Sequence, residues 1–164
     1  RVGRSAILRV HARRVKLAQH NHLEVYSNDT LLTAFAQVKP ETLVKQRQAA
    51  LTLQGKYFGP LAAMAEGKVP YDANVVARNA AYLDVLTQMP WDGFAPSTAN
   101  VKSGVLPAVF TDAAKFKEAQ DRLRSEVGKL LVVSKNGDEA AGKAQIGVVG
   151  KACGGCHDNF REKK

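Results

Sequence analysis

The residue types able to do chemistry are concentrated near the end of the chain, in Cys153-Gly154-Gly155-Cys156-His157. Two cysteines at this spacing lie on one face of a helix, where both sulfurs can close thioether bonds to the two vinyl groups of a single porphyrin. The histidine that follows directly brings its imidazole under the iron. The spacing is the attachment pattern of a c-type haem, with Cys153 and Cys156 as covalent anchors and His157 as the metal ligand. Two other readings of the motif lack what they need. A zinc site requires a fourth ligand, and the chain has no further cysteine and no nearby histidine. A disulfide oxidoreductase places its dithiol beside a βαβ unit, and no period-2 strand pattern occurs in this sequence. Haem c is joined through reduced thiols outside the bacterial cytoplasm, so the cysteines point to export and not to a structural disulfide.

The elements that must position this motif are helical. With 164 residues and 45% hydrophobic content, the chain can enclose a large flat cofactor in one domain. No apolar run approaches the roughly 20 residues that span a bilayer. The formal charge of +9 comes from lysines and arginines scattered along helical patterns without interleaved aromatics, which reads as solvated helix faces. Neither nucleic acid nor a membrane is therefore expected as a partner.

Residues 1–36 read as an export-signal-like segment or an unrelated N-terminal extension. Arg1, Arg4, Arg9, Arg13, Arg14 and Lys16 make a basic beginning, and Ala34-Phe35-Ala36 fits a small-residue cleavage site. His20, Asn21, His22, Glu24, Asn28 and Asp29 interrupt the continuous apolar stretch of about 7–15 residues that a signal needs. His11, His20 and His22 fall in this segment and read as surface residues rather than ligands. The folded unit is expected over 37–164.

From Gln37 the pattern predicts four helices. Pro40 and Glu41 suit a first turn, and Val44, Leu51 and Phe58 recur at heptad spacing beside Leu43, Ala50 and Leu61. Gly59-Pro60 is expected to stop or kink this helix, with Leu61 to Ala65 adding turns before the Gly67-Lys68-Val69-Pro70 loop. Asp72 caps a second helix whose stripe is Val75, Val76, Asn79, Leu83 and Leu86. A loop is expected from Trp91 to about Phe110. Thr111 or Asp112 caps the third helix, with Phe116, Ala119, Leu123, Val127, Leu130 and Leu131 on one face and Asn136-Gly137 at its end. Asp138 opens the fourth, through Ala141, Ala144, Gln145, Val148 and Val149 to the haem motif. The economical architecture is an all-α antiparallel four-helix bundle with covalently bound haem c near the C-terminus.

The stretch Pro40 to Lys164 resembles the cytochrome c′ family, the high-spin class II c-type cytochromes of bacterial periplasms. The resemblance is carried by Arg47-Gln48-x-Ala50-Leu51-Thr52-Leu53, Tyr57-Phe58-Gly59, Gly67-Lys68-Val69-Pro70-Tyr71-Asp72, Pro90-Trp91-x-x-Phe94-x-Pro96, Asp112-Ala113-Ala114-x-Phe116 and Cys153-x-x-Cys156-His157-Asp158-x-Phe160-Arg161. It implies that Cys153 and Cys156 carry the haem and that His157 is the proximal ligand. It further implies that Arg47 and Gln48 lie near the propionates, that Leu51 is the distal aliphatic residue, and that Phe94 and Arg161 are pocket residues. Helix geometry agrees for one pair: Arg47 and Leu51 share a face, so a guanidinium can hold a propionate while the leucine lies over the ring. Pro60 departs from the family's uninterrupted first helix. The loop between Pro96 and Phe110 is longer than the family's, and Ala99-Asn100-Val101-Lys102-Ser103-Gly104 lacks the acidic residues often present there, so the resemblance carries no haem contacts onto it.

The sixth iron position separates two functions. Methionine there makes a His/Met electron carrier; a site guarded only by Leu51 binds diatomic gases. After residue 36 only Met64 and Met89 are available, both near expected helix ends, and both read as packing residues. The low-spin relatives carry methionine near the position that Leu51 occupies here. The expectation is a periplasmic haem protein with five-coordinate, His-ligated iron that binds nitric oxide and carbon monoxide and is capable of one-electron transfer. The alternative is the six-coordinate His/Met electron carrier. Peroxidase catalysis would need a distal base, which the Leu51 neighbourhood does not supply, so no enzymatic activity is expected. The resemblance also implies pairing of two copies through the first two helices; the redox partner is not indicated.

Overall fold

The computed structural model describes residues 38–163. The N-terminal segment discussed above, with its three histidines and the Ala34-Phe35-Ala36 site, lies outside the described residues. Five helices follow one another: α1 Pro40–Ala65, α2 Ala73–Leu86, the short α3 Ala108–Thr111, α4 Ala113–Ser134 and α5 Glu139–Phe160. Helices α1, α2, α4 and α5 form an antiparallel four-helix bundle in which each packs on the next and α5 returns to α1.

The helix ends follow from local chemistry. Asp72 accepts from the backbone N–H of Asn74 and Val75 at 2.9 and 3.1 Å, Asp112 from Lys115 at 3.4 Å, and Asp138 from Ala141 at 3.0 Å. Each satisfies donors that a helix start leaves free. At the end of α1, Gly67 takes φ +71°. This lets Gly67 N–H reach the Met64 carbonyl at 3.2 Å and Lys68 N–H reach the Ala63 carbonyl at 2.9 Å, closing the last turn.

Of the two outcomes expected at Pro60, a stop or a kink, the structure rules out the stop. Helix α1 runs through it to Ala65. Pro60, Lys56 and Gly59 are exposed, so the carbonyl that loses its helical donor can turn to water. Beyond it, Leu61 is 0% exposed, and burying such a side chain is worth about 1.5–3 kcal/mol, comparable with the local penalty. Tertiary burial decides the outcome.

The bundle has a main core of Leu61, Met64, Val76, Leu83, Val127, Leu130, Ile146 and Val149. A second cluster of Val109, Phe116 and Phe160 sits at the end where α5 finishes, with Trp91, Phe94 and Val105 against it. Polar ties cross between helices: Asn79 Nδ2 donates to the Tyr57 carbonyl at 3.0 Å, and Gln145 Nε2 to the Glu126 carbonyl at 3.0 Å. The buried face of α5 is Gly142, Ile146, Val149 and Ala152, whereas Ala144 of the expected stripe is exposed. A side chain at Gly142 would collide with the Tyr71 hydroxyl, so glycine there admits the ring of Tyr71.

The expected loop from Trp91 to Phe110 contains two 3-10 turns, Trp91–Phe94 and Pro96–Thr98, as well as α3. Its last part is fastened to the C-terminal tail. Leu106 N–H donates to the Phe160 carbonyl and Glu162 N–H to the Gly104 carbonyl, each at 3.0 Å, around an antiparallel bridge between Val105 and Arg161. Gly93 lies directly on α1, where a Cβ would come within 2.7 Å of the Leu43 carbonyl oxygen and overlap the Cβ of Arg47. Gly93→Ala is therefore expected to lower stability by about 1–3 kcal/mol, the usual cost of overpacking, measured as a shifted denaturant midpoint at unchanged m-value.

Candidate functional site

Between the haem-motif end of α5 and the facing parts of α1, α2 and α4 is a cavity of about 780 Å³. Its walls carry Arg47, Gln48, Leu51, Phe94, Cys153, Cys156, His157 and Arg161, so the residues singled out from sequence surround one space. The helix period places them. On α1, Arg47, Leu51, Gly55 and Phe58 follow at intervals of four and three and line the same wall. Cys153, Cys156 and His157 come from the last turns of α5.

The floor is aromatic. Phe116 stands edge-on to Phe94 at 4.8 Å and to Phe160 at 5.1 Å between ring centroids, and Trp91 stacks on Phe94 at 6.0 Å. The Trp91 Nε1–H donates to the Thr87 carbonyl at 2.7 Å, and the indole, with the Arg124 guanidinium 5.2 Å from its centroid, also lines the cavity.

Arg47 is the unusual group. It is 2% exposed, its Nη1 donates to the Gly93 carbonyl, and its guanidinium lies 4.4 Å from the centroid of Phe94. Its Nη2 is buried without a hydrogen-bond partner, and no carboxylate among the described residues pairs with it. Burial depresses its pKa below the usual arginine value, a sign that the charged form lacks compensation. Gln48 and Arg161 are exposed and lie at the mouth.

The thiols of Cys153 and Cys156 are both free and half-buried. Burial pushes the Cys153 thiol up to about 11, with the neighbouring Cys156 adding to the shift, and burial raises Cys156 as well. No group of three or more His, Cys, Asp or Glu residues among the described residues could hold a metal ion. Partial burial, then the Arg161 guanidinium, lower the pKa of His157 against an opposing effect from Asp158. A neutral imidazole, the form that ligates iron, is thus favoured.

A family profile described as Cytochrome C′ matches residues 42–161. The chain belongs to the cytochrome c′ family. The cytochrome c′ of Rubrivivax gelatinosus is 45% identical over 126 residues, covering 76% of this chain and 98% of that relative. Its crystal structure superposes with a TM-score of 0.72 over the same shares of the two chains. A cytochrome c′ variant from Alcaligenes xylosoxidans, solved in the ferrous state with nitric oxide bound, gives a TM-score of 0.71 at 37% identity, covering 77% of this chain and 98% of the other. A carbon monoxide-bound variant from the same organism gives 0.71 at 36%, over the same shares.

The family cofactor is haem c, and the cavity of this cytochrome c′ fits it on its own evidence. The volume falls in the range of about 300–1,000 Å³ typical of ligand sites. Its walls are apolar and aromatic, the two thiols needed for thioethers share one of them, and the unpaired Nη2 of Arg47 awaits an anion such as a propionate.

Several lining residues had not been singled out as site residues. Gln54 and Phe58 could have been found by continuing the Arg47–Leu51 stripe along α1. Ser103, Gly104 and Val105 also line the cavity, in the loop onto which the resemblance carries no haem contacts. They are held there by main-chain bonds to the tail, which leave no mark in side-chain types.

Proposed function

We propose that this chain is a periplasmic haem c protein whose iron has His157 as its only protein ligand, binds nitric oxide and carbon monoxide on the opposite face, and passes single electrons without catalysing a reaction. Bound haem supplies a redox-active iron and an open coordination position. Cys153 and Cys156 hold the porphyrin covalently to α5, and Arg47, with Gln48 and Arg161 at the mouth, balances its propionates. Leu51 and Phe94 form the apolar walls.

The observation that carries this reading is the position of the methionines. Met64 is 7% exposed within the main core and Met89 is 56% exposed on the surface; neither lines the cavity, whereas Leu51 does. The nitric oxide and carbon monoxide structures of relatives support the ligand class. Glu162 is the one carboxylate on the cavity wall, and it belongs to the tail beside Arg161, not to the Leu51 side. That arrangement gives peroxide cleavage no distal base. Leu53 of α1 and Tyr82 and Val85 of α2 are exposed, with Met89 just beyond α2, apolar surface suited to pairing with a second copy.

The test is optical. The ferrous protein is expected to be high-spin, and Leu51→Ala should speed carbon monoxide binding about tenfold or more, because the ligand no longer displaces a packed side chain. A low-spin ferrous spectrum lost in Met64→Ala or Met89→Ala would replace this reading with a methionine-ligated electron carrier.

A further inference from the structure

The α1 wall of the cavity is not wholly aliphatic. Gln54 lies one turn beyond Leu51 and lines the same cavity, with Phe58, Leu83 and Thr87 around it. Its Nε2 donates to the Leu86 carbonyl at 2.9 Å. That carbonyl belongs to the last turn of α2, where helix geometry withholds the usual donor, and it accepts only one further bond, from Met89 N–H at 3.3 Å. Because the Leu86 oxygen can only accept, the orientation of the amide is determined: its NH₂ faces α2. One N–H is thereby used. The second N–H and Oε1 have no hydrogen-bond partner among the described residues.

Gln54 is half-buried and its unpartnered amide atoms remain accessible, whereas leucine or methionine would fill the same space on an apolar wall without any polar group to satisfy. Thr87 does not take up the surplus, since its hydroxyl donates to the Asp84 carbonyl at 3.1 Å. The tie to Leu86 also holds the side chain in place, so its remaining polar atoms need no reordering to meet a partner.

We propose that Gln54 is a specificity-determining residue of the ligand side of the cavity. Its carboxamide meets a hydrogen-bonding ligand, directly or through one ordered water, and so favours such ligands over carbon monoxide. Leu51 imposes a steric cost on every ligand; Gln54 discriminates among them by polarity. The inference rests on the function proposed above, because it requires a free face opposite His157.

Gln54→Leu and the volume-conserving Gln54→Met test it in the haem-loaded protein, with cyanide on the ferric form and carbon monoxide on the ferrous form as probes. Both variants are expected to lose about tenfold in cyanide affinity, the loss of one hydrogen bond, while carbon monoxide affinity changes by less than about twofold. The stretching frequency of bound carbon monoxide should rise as the N–H dipole is withdrawn. A lower melting temperature with an unchanged cyanide-to-carbon-monoxide ratio and an unchanged stretch would make Gln54 a tie between α1 and α2 only, and would overturn the inference while leaving the function standing. A low-spin ferrous spectrum of the unmodified protein would overturn both.

Discussion

Replacing Cys153 and Cys156 together by alanine will yield a protein whose haem leaves in acid acetone, while the unmodified protein keeps its haem through the same treatment. The contrast follows from bond type. Two thioethers survive acid, whereas the bond to His157 is lost once the imidazole is protonated. Once stripped of haem, the variant should also lose at least about 3 kcal/mol in a denaturant melt, because a cavity walled by Phe94, Phe116, Phe58 and Leu51 is left without its contents and the surrounding helices can collapse only in part. Haem retained after both substitutions, or released from the unmodified protein, would refute covalent attachment through this pair.

Arg47→Met will have opposite effects in the two forms of the protein. In the haem-loaded form it removes the cation facing a buried anion, and breaking such a pair costs about 3–5 kcal/mol. In the double cysteine variant stripped of its haem the same change removes a buried guanidinium whose Nη2 has no partner, so stability should be unchanged or should rise by about 1–3 kcal/mol. The Gly93 carbonyl is not orphaned in either case, since Thr98 Oγ1 also donates to it, at 3.2 Å. Paired denaturant melts read the sign directly. Equal losses in both forms would assign Arg47 to packing alone.

What the sequence shows and what it hides divides along physical lines. Asp72, Asp112 and Asp138 act as caps because the bond each makes is to a residue two or three positions on, a distance that sequence alone specifies. The α1 wall was legible for the same reason, since Arg47, Leu51 and Phe58 are ordered by the helix period. Helix α5 was harder. Its buried face uses Gly142 and Ala152, which carry almost no hydrophobic signal, and the phase of the stripe was misplaced toward Ala144. Pro60 left a stop and a kink both open because its local penalty is visible in the sequence while the burial of Leu61 is visible only in the fold. Gln54 was passed over because a glutamine on a helix ordinarily faces water; its contact with Leu86 depends on where α2 ends.

The fastening of the loop to the tail bears on which changes the cavity wall tolerates. Leu106, Gly104, Phe160 and Glu162 are joined through main-chain groups, so in this stretch Leu106 and Glu162 can change side chain without breaking a bond, whereas Gly104, at φ +62°, and the buried Phe160 cannot change freely. Its length is another matter. Val105 points its side chain at the Phe116–Phe160 cluster, and in a bridged segment neighbouring residues alternate between faces. Inserting one residue ahead of Val105 would turn the valine outward and shift both main-chain bonds by one register step. Positions such as Leu106 and Glu162 can therefore drift while the residue count of the segment stays locked, the reverse of what surface loops usually permit.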